Sequence, residues 1–199
     1  MCSARHETGR DAIVRCALRL FGEGGVAATS LRAVAKAAEV SPALVVHHFG
    51  GKEGLVAAVD EAAMEAFAAA YEEAEPVEGP ALLRRRAAQT AQVMRERPDV
   101  CAYVGRALAE ATPASVGRFR LMIEGGRAEI DSLAEKGALR EDADRLWAAL
   151  QHFFLIWAPL SFLPLLDGVL GGPLLEPENL ERWVEANVKL FEGGLYRDA

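Results

Sequence analysis

The sequence predicts an all-α fold, with a small helical domain over residues 1–51 and a larger helical domain over residues 52–199. The 199 residues are 51% hydrophobic and 26% charged, which is typical of folded globular proteins and excludes disordered and collagen-like chains. Apolar residues recur at helical spacing, and alternating strand-like runs are absent. Gly and Pro fall between the periodic segments, where helices are expected to end.

The first predicted helix covers residues 9–21. Thr8 followed by Asp11 resembles a capping box, and the Gly-Glu-Gly-Gly run at 22–25 ends the helix. Its apolar side chains fall on one stripe, as expected for a helix that packs on a core: Ile13, Val14, Ala17, Leu18 and Phe21.

Two short helices follow, at about residues 31–38 and 42–47. Ser30 is suited to cap the first helix, and Ser41 followed by Pro42 gives the second a strong start. The second helix is expected to pack three side chains inward: Leu44, Val45 and Val46. The pair forms a helix-turn-helix, although periodicity alone leaves DNA binding and an ordinary corner of a helical bundle equally open.

Prolines and glycines divide the rest of the chain into further helices. Helices are predicted over residues 52–75, 81–96, 99–111, 114–136 and 178–193, and a further helix runs from residue 143 into an apolar run. A break is predicted at 76–80 and a loop at 168–177. Pro159 should kink or break the helix that enters the apolar run. That uncharged run, residues 153–166, is shorter than the roughly 20 residues of a membrane span, so a buried or interfacial helix is expected and no membrane partner.

Charge is distributed unevenly along the chain. The net charge is −7, which excludes a generic polycation that coats nucleic acid. Residues 1–54 carry seven basic and five acidic side chains, a balance of +2, whereas residues 55–199 carry fifteen and twenty-four, a balance of −9. A slightly basic head therefore precedes an acidic body.

The cysteines and the N-terminus indicate a cytoplasmic protein. Cys2, Cys16 and Cys101 are odd in number and widely spaced, which predicts neither a disulfide framework nor a metal site. Residues 1–10 lack the apolar segment of a secretory signal.

The N-terminal quarter of the chain carries a pattern of residues at fixed spacing. These are Arg10, Ile13, Ala17, Leu20, Phe21, Gly25, Thr29, Ser30, Val34, Ala35, Ala38, Val40, Ser41, His48, Phe49, Lys52, Glu53 and Leu55. In this pattern the chain resembles the tetracycline-repressor-like (TetR) family of transcriptional regulators. The resemblance implies an N-terminal three-helix, helix-turn-helix DNA-binding domain and a C-terminal helical domain for ligand binding and dimerisation.

Three positions depart from the family pattern. Glu39 stands in the turn where the family usually has glycine, and a non-glycine residue with positive φ costs about 1 kcal/mol, so an adjusted turn is expected. Ala43 replaces a common glycine of the recognition helix. Val46 replaces a common tyrosine that contacts the DNA backbone, so one phosphate contact is missing and His47 is a candidate to compensate.

The resemblance assigns DNA contacts to eight residues. Three are expected to hold phosphates: Thr29, Ser30 and Lys52. Five are candidates to face the major groove: Arg32, Ser41, Pro42, Ala43 and His47. Helix N-termini bind anions through free N–H groups, which supports the first set independently. Without the resemblance, solvated charges and plain helix caps would be the preferred interpretation.

The sequence does not predict an enzyme, a cofactor or a metal site. Gly51-Lys52 lacks the flanking residues of a phosphate-binding loop. His47 and His48 are adjacent and diverge on a helix, whereas metal ligands are placed four residues apart. His48 is instead expected to pack beneath the helix-turn-helix.

The resemblance implies a small-molecule site in the C-terminal domain, and large apolar residues are candidates to line it between the helices at 99–111, 114–136 and 143–158. Gly125 and Gly126 would leave room there, while Arg106, Arg118 and Gln151 could orient a ligand. The candidate lining residues are Met94, Tyr103, Phe119, Met122, Ile123, His152, Phe153 and Trp157. For any one of the aromatic residues taken singly, an ordinary hydrophobic core is the preferred interpretation.

The last helix carries an apolar stripe that predicts a dimer interface, together with the apolar run at 155–166. The candidate interface residues are Leu155, Leu166, Leu180, Val184, Val188, Phe191 and, beyond them, Leu195. The resemblance implies a homodimer joined by a four-helix interface.

These observations predict a homodimeric repressor that binds a palindromic double-stranded DNA operator and is released by a small apolar or amphipathic effector. The alternative is a helical small-molecule-binding protein or enzyme whose N-terminal helices are only structural. A DNA mobility shift discriminates between the two.

Overall fold

A computed structural model describes residues 9–72, 80–110 and 113–194, and over these ranges the fold is all-α, as predicted. The helices are α1 (Gly9–Gly24), α2 (Leu31–Ala37), α3 (Pro42–Phe49), α4 (Lys52–Glu72), α5 (Pro80–Glu96), α6 (Pro98–Glu110), α7 (Pro113–Glu135), α8 (Arg145–Ser161), α9 (Leu163–Leu170) and α10 (Pro177–Gly194). Leu195, the Arg118 side chain and most of the predicted break at 76–80 lie outside the described residues.

Helices α1 to α3 form the N-terminal head. Ser30 caps α2 by accepting a hydrogen bond from the Ala33 N–H at 3.1 Å, and Ser41 caps α3 in the same way from Leu44 at 3.2 Å. Both predicted caps are therefore present. Glu39, in the turn between these helices, has a φ of 55°, so the turn keeps the left-handed conformation without its usual glycine.

Helix α3 differs from its prediction in length and in its buried face. It continues to Phe49 and ends at Gly50, whose φ of 72° allows the N–H to bond the Val46 carbonyl. Val45 is fully buried, but Val46 is 47% exposed and His48 is exposed. The prediction that three consecutive residues pack inward, with His48 beneath them, was wrong because successive helical residues point about 100° apart.

Helix α8 breaks later than its proline predicted. Pro159 lies inside the helix, which continues to Ser161 before α9 leaves at an angle of 85°. Proline cannot donate to the carbonyl four residues earlier, and that carbonyl, on Leu155, accepts a 3.5 Å bond from the Asn187 side chain of α10. The predicted loop at 168–177 is shorter because α9 runs to Leu170. Among the described helices none is by itself long and apolar enough to cross a membrane, and only the bent α8–α9 pair reaches that composition.

Helix α6 packs at backbone distance against both α1 and α8. A Cβ on Gly22 of α1 would lie 3.0 Å from the Tyr103 nitrogen, and one on Gly105 of α6 would lie 2.3 Å from the Leu160 oxygen. Ser161 also donates a 3.0 Å hydrogen bond to the Gly105 carbonyl. The head and the body thus share one hydrophobic core, and the division at residue 51 stays a prediction.

Arg106 fastens α6 to the end of α1. Its Nε donates to the Gly22 carbonyl at 2.9 Å and its Nη2 to the Glu23 carbonyl at 3.0 Å. These carbonyls lie in the last turn of α1, where a cation is favoured. Arg106 was predicted to orient a ligand, but the structure places it at this helix end because α1, rather than a cavity, covers this part of α6.

Candidate nucleic-acid interface and ligand cavity

The outer side of α3 presents a continuous exposed surface, here called the recognition face and defined by Pro42, Ala43, Val46 and His47. Helix α3 carries no acidic residue. Arg32 on α2 is exposed, so a cation lies on the neighbouring helix of the motif. A short, rigid and anion-free helix of this kind can enter the major groove of DNA.

The predicted phosphate contacts lie together at the start of α2. Ser30 is exposed and marks the α2 N-terminus. Lys52 reaches the same loop from α4, since its Nζ donates to the Ala27 carbonyl at 3.2 Å. Thr29 differs from the expectation. Its side chain is buried and its hydroxyl donates to the Gly25 carbonyl at 2.8 Å, so it closes the loop instead of facing outward.

A cavity of about 550 Å³ lies among helices α4, α5, α7 and α8. Its walls are mostly apolar: Phe67 and Trp157 rings stand 4.4 Å apart, and Trp157 stacks within 12° of the Phe153 plane. The lining residues are Met64, Phe67, Ala68, Arg86, Met122, Gly125, Gly126, Glu129, Ala149, His152, Phe153, Ile156 and Trp157. This size and lining match those of small-molecule sites.

Four of the eight predicted effector residues line this cavity: Met122, His152, Phe153 and Trp157. Phe119 lies behind the wall, where its ring meets Phe153 edge-on at 4.8 Å. Met94 and Ile123 are buried in the core instead, and Tyr103 lines a separate small cleft where its hydroxyl donates to Asp60. The cavity therefore uses α4 and α5 where α6 was predicted, because α6 packs mainly on α1 and α8.

The cavity has one polar corner, formed by Arg86, Glu129 and His152. Arg86 Nε donates to Glu129 Oε1 at 3.3 Å. Burial lowers the pKa of His152, Glu129 opposes that shift, and Arg86 adds to it. Sequence reasoning missed Arg86 and Glu129, although Glu129 follows Met122, Gly125 and Gly126 on one face of α7 at helical spacing.

The lowered pKa of His152 predicts a loss of stability in mild acid. The unfolded chain takes up the proton near pH 6.5, before the folded state does, so the free energy of unfolding falls as the pH drops below that value. Denaturant unfolding at pH 7.5 and pH 5.5 should show a larger loss for the wild type than for His152→Gln. Equal losses of unfolding free energy in the two proteins would contradict the lowered pKa of this half-buried imidazole.

Comparison with known proteins decides the family of the chain. Residues 13–59, which span the head and the start of α4, match the model of bacterial regulatory proteins of the tetR family. The transcriptional regulatory protein RaaS of Mycobacterium tuberculosis is 31% identical over 141 residues, covering 69% of this chain and 62% of RaaS. The regulator BetI of Rhizobium meliloti is 47% identical over 49 residues, covering 25% of this chain and 24% of BetI. The chain belongs to the TetR family.

A solved structure extends the likeness over the whole fold. The TetR-family regulator PfmR from Thermus thermophilus superposes with a TM-score of 0.71 and 26% identity, covering 96% of this chain and 99% of PfmR. The sequence match to RaaS, by contrast, spans less than two thirds of the length of that protein. The arrangement of a TetR-family head on a helical body is thus common to both structures.

The predicted dimer stripe of this TetR-family chain lies largely inside the subunit. Leu180, Val188 and Phe191 are buried, and the last two belong to the same hydrophobic cluster as Ile130 and Leu133 of α7. Helix α10 itself packs against α5. For these three the interface assignment was wrong because α10 turns that side toward its own core. Three other candidates are half-buried: Leu155, Leu166 and Val184.

A different set of apolar side chains on the last three helices is exposed. It is called here the apolar outer face and consists of Trp147, Phe154, Phe162, Leu165, Val169 and Leu190. No residue of α9 is buried, although its sequence is mostly apolar. A group of exposed large apolar side chains is typical of a protein–protein interface.

Proposed function

We propose that this TetR-family chain is a homodimeric transcriptional repressor that binds a palindromic DNA operator. In this proposal the protein acts in the cytoplasm and is not an enzyme. The recognition face carries this proposal: a doubly capped motif presents Pro42, Ala43, Val46 and His47 outward beside Arg32. Lys52 and the α2 N-terminus supply adjacent sites for phosphates.

Dimerisation follows from the apolar outer face. Burying Phe154, Leu165 and Leu190 against the same residues of a second copy would remove them from water, and a twofold pairing of this kind is self-complementary. A dimer carries two recognition faces, which explains why the operator is expected to be palindromic.

The effector is proposed to occupy the cavity. The aromatic walls suit an apolar body, and the corner of Arg86, Glu129 and His152 has no net charge when the imidazole is neutral. Such a corner favours an uncharged group that both donates and accepts hydrogen bonds. A neutral amphipathic molecule therefore fits better than an ion.

Release of DNA is proposed to pass through α6. The cavity wall includes Phe153 and Trp157 of α8, which touches α6 at Gly105, and Arg106 of α6 holds the end of α1. An effector that binds better when α8 is shifted would also favour a different position of the head. The equilibrium between the DNA-binding state and the released state would then move toward the released state.

Binding to genomic fragments tests the proposal. The purified protein is mixed with sheared genomic DNA, and the retained fragments are mapped and confirmed by mobility shift. Retention of discrete fragments supports a regulator, and the neighbouring genes suggest the effector. If no fragment is preferred at physiological salt, the head is only structural and the chain is a ligand-binding protein.

Lys52→Ala is expected to weaken binding to all duplexes by a similar factor, because a phosphate contact carries little base information. The slope of log affinity against log salt should fall by about 1 per head. Salt titrations with the operator and with an unrelated duplex measure both effects. A change of sequence preference with unchanged overall affinity would be inconsistent with this role.

A further inference from the structure

The recognition face has an apolar centre. Within the described residues of the head, 9–51, Val46 is the one large hydrophobic side chain that is strongly exposed, at 47%. Its neighbour Val45 is fully buried, so α3 already supplies its core contact without Val46. The exposed part of the Val46 side chain is therefore available to contact a partner.

The position of Val46 on the helix places it in the middle of the exposed side. At about 100° per residue, Val46 lies about 40° from Pro42 and about 60° from Ala43, with His47 at the edge. All three neighbours are exposed. Pro42, Ala43 and Val46 thus form one apolar patch at the part of the head that faces DNA in the proposed complex.

Valine restricts what this patch can recognise. Its side chain has neither a donor nor an acceptor, so it cannot bond to phosphates or to the polar atoms of base edges. In the major groove thymine alone among the four bases presents a methyl group, and small apolar side chains contact it. Burying the two methyl-bearing surfaces together removes both from water.

We propose that Val46, flanked by Pro42 and Ala43, packs against the C5-methyl of a thymine in each operator half-site and selects thymine at that position. This inference rests on the proposed DNA-binding function. It makes Val46 a specificity residue at the position where the family resemblance predicted the loss of a backbone contact.

Replacement of thymine by deoxyuridine tests the contact, because it removes the methyl and keeps every hydrogen-bonding group. The wild-type protein is first used to select a duplex from a randomised pool, and each thymine of that duplex is then replaced in turn. At one thymine per half-site, replacement by deoxyuridine should lower the affinity of the wild-type protein about threefold to fivefold. Replacing the symmetric thymines of both half-sites should lower the affinity by the product of the two factors.

Val46→Ala should bind the selected duplex more weakly than the wild type does. For this variant, replacing the contacted thymine by deoxyuridine should no longer lower the affinity, whereas replacement of the other thymines should have the same effect as in the wild type. Val116→Ala is the matched control, since Val116 is 50% exposed on α7 in the body. Val116→Ala should show the same loss of affinity on deoxyuridine replacement as the wild type. Circular dichroism confirms that both variants are folded.

Two results overturn the inference while leaving the proposed function intact. One is specific binding in which no uracil substitution lowers affinity. The other is an unchanged uracil penalty in Val46→Ala, which assigns the methyl contact to another residue. Failure of the wild-type protein to select any duplex overturns both the inference and the proposed function.

Discussion

Phe154→Glu is expected to convert the protein from a dimer to a monomer and to lower operator affinity by about a hundredfold or more, because two linked heads bind far more tightly than one. Phe154 is 48% exposed on α8, in the apolar outer face. A carboxylate there is solvated in the monomer, so the subunit still folds, but it would be buried without a partner in the dimer. Light scattering and a mobility shift measure the two effects.

Leu121→Glu is the matched control for this substitution. Leu121 is 68% exposed on α7, outside the apolar outer face, and receives the same change from apolar to acidic. It should leave both the mass and the operator affinity unchanged. If Phe154→Glu remains dimeric and binds normally, the subunits pair through another surface.

Gly126→Leu is expected to weaken the response to effector about tenfold to a hundredfold, because overfilling a packed site costs about 1–3 kcal/mol. Gly126 lines the cavity, and a Cβ built there meets no atom within 4 Å. The Cβ position is therefore unobstructed, and the rest of a leucine side chain at this lining position would take up cavity volume. Replacing a glycine inside a helix also adds about 1 kcal/mol of stability, so the variant should melt at a higher temperature.

Gly117→Leu is the control that separates the weaker effector response from the gain in helix stability. Gly117 lies on the same helix, is exposed and also has open space at its Cβ, but it does not line the cavity. It should gain helix stability and keep the full effector response. Titrations follow release of labelled operator by the cognate effector. An unchanged response in Gly126→Leu would place the effector elsewhere.

The sequence was most informative where the cause of structure is local. Ser30, Ser41 and Pro42 mark the starts of α2 and α3 because a helix cap depends on residues that are close in the chain. At Glu39 only the family resemblance pointed to a glycine-like turn, and the observed φ of 55° shows that the turn keeps this conformation with a glutamate in place. The order of nine of the ten described helices followed from prolines and glycines between apolar stripes, whereas α9 was not predicted as a separate helix.

The sequence does not reveal which element each apolar stripe packs against, within the subunit or in a second copy. The Leu180–Phe191 side of α10 has the periodicity of an interface, but the same periodicity serves packing on the core within the subunit, where α10 lies against α5. Met94 and Ile123 were assigned to the cavity on composition, whereas only the tertiary arrangement separates wall from core. The pairing of Arg86 with Glu129 joins residues 43 positions apart, which spacing along one helix cannot reveal.

Selection from a pool of randomised duplexes tests DNA recognition by this protein most directly. Wild-type protein is incubated with the pool at physiological salt, and the retained duplexes are sequenced after several rounds. A dimer with two recognition faces should enrich an inverted repeat whose half-site centres lie about one helical turn of DNA apart, or a multiple of it. Enrichment of no sequence over the starting pool, or of a single unrepeated site, would contradict the proposed homodimeric regulator.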